Sequence, residues 1–236
     1  MANEVTISAD KIKKREKRFK ILKRVLLLLL LLLLFIYLFL SFVYNGGHFT
    51  ITLDRSFALE QGLVLYDDLK YKEPQVKLSA GKIDFMDNIS IKWIPSNIDD
   101  EADGIHNGDN YIAYTFYVEN TGKDTINYWS ELIINDVIKN VDDAIRVMIF
   151  ENGEKTIYGK INALAGQPEK DCEPFFSDDS IFVRLREDIK PNEIDKYTIV
   201  IWLEGDDPDC LDDLLGGEIK LHMEIRSEHL EDKLYE

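Results

Sequence analysis

The chain of 236 residues has little of what most catalytic and nucleic-acid-binding proteins depend on: four histidines, two cysteines, and a shortage of positive charge through most of its length. It contains no His-Glu-x-x-His pair for zinc, no Gly-x-Ser-x-Gly elbow for a nucleophilic serine, and no glycine-rich loop ending in lysine and serine or threonine to cradle phosphates. The histidines, His48, His106, His222 and His229, are scattered instead of set at ligand spacing. Carboxylates abound, but abundance is no evidence for a positioned acid and base. Two cysteines also exclude a disulfide-rich scaffold.

What the chain does have is one long apolar run. Val25 to Tyr44 is almost unbroken, with leucine at every position from 26 to 34. Twenty helical residues rise about 30 Å, the thickness of a bilayer's hydrocarbon core. The run predicts a single transmembrane helix. Residues 1 to 24 carry nine basic side chains (Lys11, Lys13, Lys14, Arg15, Lys17, Arg18, Lys20, Lys23, Arg24) against Glu4, Asp10 and Glu16, a net of +6. No charge lies in Asn45-Gly46-Gly47 on the far side. The positive-inside rule then puts the N-terminus in the cytoplasm and the remainder outside, at the cell membrane. A cleaved signal peptide is the competing reading. Secretory apolar regions, however, run about 7 to 15 residues and end in small side chains, whereas this one is longer and exits through Leu40-Ser41-Phe42-Val43-Tyr44, so an uncleaved signal anchor is expected.

Residues 25 to 236 hold nineteen basic and forty-one acidic side chains, a net of −22. Such a body repels nucleic acid and anionic headgroups and suits divalent cations or basic partners. Its aromatic and β-branched content argues against disorder. The expected organisation is a basic cytoplasmic tail (1–24), the anchor (25–44), an extracytoplasmic β domain (45–226) and a charged tail (227–236) that frays.

Past Gly47 the apolar residues alternate, as half-buried strands require. Strands are predicted at 49–53, at 88–94 (Ile89, Ile91, Trp93), at 111–119, which is apolar on both faces and therefore central, and at 125–134, returning from 111–119 as a meander. A short helix is expected across 139–144, where a loop is the alternative. Asn152-Gly153 between two strand patterns is the strongest hairpin signal, because both residues accept positive φ. Further strands are expected at 181–185, 194–203 and 218–226, while 59–72 fits a short helix or an edge strand. Eight or nine strands joined mostly by turns predict a mainly β fold, an antiparallel β-sandwich of jelly-roll or immunoglobulin-like type, with a barrel as the alternative.

Two acidic loops are candidate cation sites. Asp99, Glu101 and Asp103 alternate ahead of Gly104 like the first half of a calcium loop. The twelfth position, Asn110, is not the glutamate that pattern needs, and a solvated loop is the alternative. Glu204-Gly205-Asp206-Asp207-Pro208-Asp209, continuing to Asp212 and Asp213, could hold a cation or a basic partner. Cys172 and Cys210 sit in similar acidic, proline-containing loops and are expected to form a disulfide, which would add roughly 4 kcal/mol if the sulfurs meet. Two unpaired thiols are the alternative.

Tyr114-Thr-Phe-Tyr-Val-Glu-Asn-Thr-Gly122 and the stretch Lys190 to Cys210 resemble the camelysin and TasA-like exported proteins of Firmicutes. The resemblance implies a jelly-roll sandwich at the cell surface, in a group of which some members build matrix fibres. It departs from the group at the anchor, since those proteins are released after a shorter signal, and no zinc motif here could carry the metallopeptidase activity assigned to camelysin. The functional expectation is a non-enzymatic surface module binding an envelope or matrix protein. A membrane-tethered metal-dependent hydrolase, or a subunit of an envelope complex held through its helix, is the alternative; the run's lack of small-x-x-x-small spacing argues against the latter.

Overall fold

A computed structural model of the chain describes residues 2–44, 49–54, 60–81, 86–162 and 166–226. It divides into two units, Met1–Gly46 and Gly47–Glu236. The tail expected to fray, 227–236, lies outside the described residues.

The first unit is one helix, α1 (Ala2–Tyr44), of 43 residues. Neither glycine nor proline occurs in it, so nothing in its sequence interrupts the backbone ladder. An 18-residue stretch within its segment Arg15–Phe39 has a mean hydropathy of 2.7, with none of that stretch buried, and the helix is long and apolar enough to cross a membrane. Anchors and signal sequences share that length and composition.

Among the described residues the second unit has twelve strands: β1 (Phe49–Leu53), β2 (Leu63–Tyr66), β3 (Lys77–Ser79), β4 (Gly104–Ile105), β5 (Tyr111–Asn120), β6 (Ile126–Ile138), β7 (Ile145–Glu151), β8 (Glu154–Gly159), β9 (Glu173–Pro174), β10 (Ser180–Ile189), β11 (Ile194–Leu203) and β12 (Glu218–Arg226). They form two sheets, β10-β6-β12-β1-β3 and β2-β5-β11-β7-β8-β9, with β4 added alongside β5. The fold is a β-sandwich, as expected. Most pairings are antiparallel, but β1 runs parallel to β12 and β9 to β8.

Alternation places the side chains. In β11, Tyr197, Ile199 and Ile201 point between the sheets, where they meet Phe116 and Val118 of β5 and Phe49, Ile51 and Met223 from the opposite sheet. The even-numbered Val200 and Trp202 face outward, yet they are equally buried. A strap of irregular chain covers them: Ile89, Ile94 and Ile98 pack onto Ala113, Met148, Val200 and Trp202 as a second apolar layer. This explains why β5 is buried along nearly its whole length. It is flanked by β2 and β11, which bears out its central place.

Three expectations are corrected. β5 and β6 form no meander: β5 pairs with β2, β4 and β11, while β6 crosses to the other sheet and pairs with β10 and β12. Residues 88–94 form no strand. Only Ile89 makes a bridge, to Glu204, and Ile91–Trp93 is a 3-10 turn, because the segment buries Ile89, Ile94 and Ile98 at strap spacing instead of every second residue. The helix across 139–144 shrinks to one 3-10 turn, Val141–Asp143, since β6 continues to Ile138 against Glu218 and the next two residues, Lys139 and Asn140, take left-handed φ values of 61° and 52°. The 59–72 region supplies strand β2. The hairpin at Asn152-Gly153 forms as expected, with φ of 53° and 85° between the paired Glu151 and Glu154.

At one sheet end the backbone approaches itself closely. Gly62 has φ of 79°, and a side chain there would meet the Gly122 amide nitrogen at 2.7 Å. Thr121 N donates to Gly62 O at 2.8 Å across the same contact. Only glycine suits that position.

Candidate functional site

Three groups of polar side chains in the domain include the candidate site residues, and their geometry separates those that hold the fold from those that face outward.

The first group bridges the sheets. Tyr128 of β6 donates to Asp195 Oδ2 at 2.8 Å, and its hydroxyl lies 2.9 Å from that of Tyr197 in β11. Tyr197 donates to Glu151 Oε1 at 3.0 Å, and Glu151 is ion-paired to Arg184 of β10. Asp195 also accepts from Arg186 Nε at 3.0 Å and Asn152 Nδ2 at 2.8 Å. Each buried acceptor has donors, as a buried polar group must. Burial above all pushes both tyrosines well above their ordinary value of 10.0; Tyr197 and Asp195 add to it at Tyr128, and Glu151 and Asp195 add to it at Tyr197, where the bond to Tyr128 pulls the other way. The network is a clamp between sheets.

The second group lies on the strap side. Arg146 of β7 and Asp207 are ion-paired with only 2% of either side chain exposed. Glu204 Oε2 accepts from the Trp202 indole at 2.9 Å and from Ile91 N at 3.1 Å, and Ser90 Oγ donates to Asp206 Oδ2 at 2.8 Å. The acidic loop therefore turns Glu204 inward onto the strap and Asp207 inward onto Arg146, and leaves Asp206, Asp212 and Asp213 exposed. On the strap's own outer side stands Trp93, 74% exposed. Sequence reading placed Trp93 in a strand with Ile89 and Ile91; the break in apolar period at Pro95 was the available sign of a turn.

The third group is the expected calcium loop, whose carboxylates turn to different neighbours. Asp99 Oδ1 lies 3.2 Å from Lys196 Nζ, Asp103 Oδ1 accepts from the Tyr117 hydroxyl at 2.5 Å, and Glu101 is exposed. The Tyr117 hydroxyl is held protonated above its usual range by burial first and by Asp103 next. Among the described residues no three His, Cys, Asp or Glu side chains are grouped to hold a metal ion.

The expected disulfide is likewise not formed: Cys172 and Cys210 are free. Each sulfur has its own neighbour. Cys210 Sγ accepts from Asn88 Nδ2 at 3.4 Å. Cys172 packs beside the second apolar layer, where burial raises its thiol pKa against the opposing pull of Arg146. Of the histidines, His106 Nδ1 is 3.0 Å from Gly104 O and His222 Nδ1 2.7 Å from Asn135 Oδ1, far apart in the fold's hydrogen-bond pattern, while His48 and His229 lie outside the described residues.

No protein-family model matches the chain, and no curated protein is similar to it in sequence. Two solved structures of a β-glucosidase from Kluyveromyces marxianus, one in complex with glucose, are similar at TM-scores of 0.25 and 0.28 and identities of 10% and 11%. Each covers 72% of this chain, which spans 16% and 18% of the glucosidase chain. Likeness at that level carries no argument about fold or activity.

Proposed function

We propose that this chain is a single-pass membrane protein of the bacterial cell surface, N-terminus in the cytoplasm, whose acidic β-sandwich works outside as a non-enzymatic binding or structural module for another envelope or matrix protein. The uninterrupted helix behind a basic segment supports the anchor, and its bulky exit supports retention of the helix. The surface role implied by the camelysin and TasA-like resemblance agrees with this reading.

The binding role rests on Trp93. A tryptophan left in water on a strap that is itself fastened by Glu204, Ser90 and Ile98 is a rigid aromatic anchor, the residue type over-represented where proteins grip partners.

A photo-crosslinking residue placed at position 93 in the full chain, in living cells, tests the reading. A discrete adduct is expected that is absent when the same residue replaces Lys155, on the exposed β7–β8 hairpin. No adduct from position 93, or the same adducts from both positions, would contradict it.

A further inference from the structure

We propose that the basic flank of α1 is a binding surface for anionic phospholipid headgroups, formed by Lys17, Lys20, Lys23 and Arg24 on one face of the helix. The inference rests on the membrane-spanning reading above.

The helix continues without a break from these residues into the apolar run, so their distance from the hydrocarbon is set by helical rise. Arg24 adjoins Val25. At 1.5 Å per residue, Lys20 lies about 7.5 Å and Lys17 about 12 Å beyond Val25. The headgroup layer is about 5 to 8 Å deep on each side, and the Debye length in physiological salt is about 8 Å. Three of the four therefore sit at headgroup depth and the fourth within screening range of it.

At 3.6 residues per turn the four fall within a sector of about 120°. All four are exposed, and among the described residues none is held in an ion pair. Glu16, four residues before Lys20, is the one acid in residues 15–24. Like charges three and four apart on a helix repel, and a negative counter-surface relieves that repulsion. Continuity with the span favours lipid over an acidic protein, because the two residues nearest the run are level with the headgroups before any protein could reach them. Each basic residue near an anionic surface raises affinity by a factor of about five.

The full chain would be reconstituted into phosphatidylcholine vesicles containing a quarter phosphatidylglycerol, then excised with its surrounding lipid by a styrene–maleic acid copolymer. The expected result is phosphatidylglycerol enriched about threefold in the excised discs. Half or more of that enrichment should disappear in a K17Q/K20Q/K23Q/R24Q variant, and in wild type at high salt. Unchanged enrichment in the variant, or none in the wild type, overturns the proposal; an acidic cytoplasmic protein captured through these residues without lipid enrichment does so too. Release of the protein from vesicles by alkaline carbonate would instead overturn the membrane reading, so the two failures are distinguishable.

Discussion

The hydroxyls of Tyr128 and Tyr197 meet 2.9 Å apart, one reaching in from each sheet, and the proton-accepting ends of their chain are Asp195 and Glu151. A sandwich joined only by apolar contact tolerates sliding of one sheet over the other; this pair fixes their relative position through directed bonds.

Replacing either hydroxyl tests that clamp. Tyr128→Phe leaves Asp195 with Arg186 and Asn152 as donors, and Tyr197→Phe leaves Glu151 with Arg184, so each is expected to cost about 1 to 2 kcal/mol in urea unfolding. The pH dependence follows from the raised pKa values. Above the ordinary tyrosine value of 10.0 the unfolded chain releases protons that the folded chain still binds, so stability falls as pH rises past 10. Absorbance of tyrosinate should show these two rings ionising together with unfolding, and the double Phe variant should lose part of the alkaline slope.

Arg146 and Asp207 make the opposite test, of a buried pair on the other side of the same sheet. Arg146→Met strands a carboxylate that is 2% exposed and is expected to cost about 3 to 5 kcal/mol by thermal or urea unfolding. Arg146→Met with Asp207→Leu removes both charges and should recover most of that loss.

Acid should loosen the β10–β11 turn. Glu193 is held below its ordinary value of 4.5, first by the Lys190 amide, which donates to Oε2 at 2.9 Å, and further by Arg186. A lowered folded value means stability present above about pH 4.5 and lost as pH falls through the folded value. Glu193→Gln should give up at neutral pH the small stabilisation that the carboxylate brings and converge with wild type in acid, so that its stability curve is shallower below pH 5.

The strap separates packing from display. Ile98 is buried to within 1% and Trp93 is exposed. Ile98→Ala is expected to cost about 2 to 5 kcal/mol, and Trp93→Ala to stay within about 0.5 kcal/mol of wild type while losing the crosslinked partner.

Local signals were legible where the chain decides its own conformation. Asn152-Gly153, the run 194–203 and the run 218–226 form the elements their patterns announce. What could not be read is which strand pairs with which. Alternation in 111–119 and 126–138 is the same whether the two are neighbours or belong to different sheets, and here they belong to different sheets. The strap escaped notice because Ile89, Ile91 and Trp93 imitate a strand while the residues actually buried are 89, 94 and 98. The calcium loop and the disulfide depended on distant partners: Lys196, 97 residues beyond Asp99, takes the carboxylate, and Asn88 takes the Cys210 sulfur. Alkylation without reductant should accordingly modify both cysteines.

The central claim concerns the side of the membrane on which the sandwich stands. Epitopes placed before Met1 and after Glu236 of the full chain, probed with protease on intact and then permeabilised cells, test it most directly. The C-terminal epitope is expected to be digested in intact cells while the N-terminal one survives until permeabilisation. Survival of the C-terminal epitope in intact cells, or its recovery in the medium on a fragment lacking α1, would contradict it.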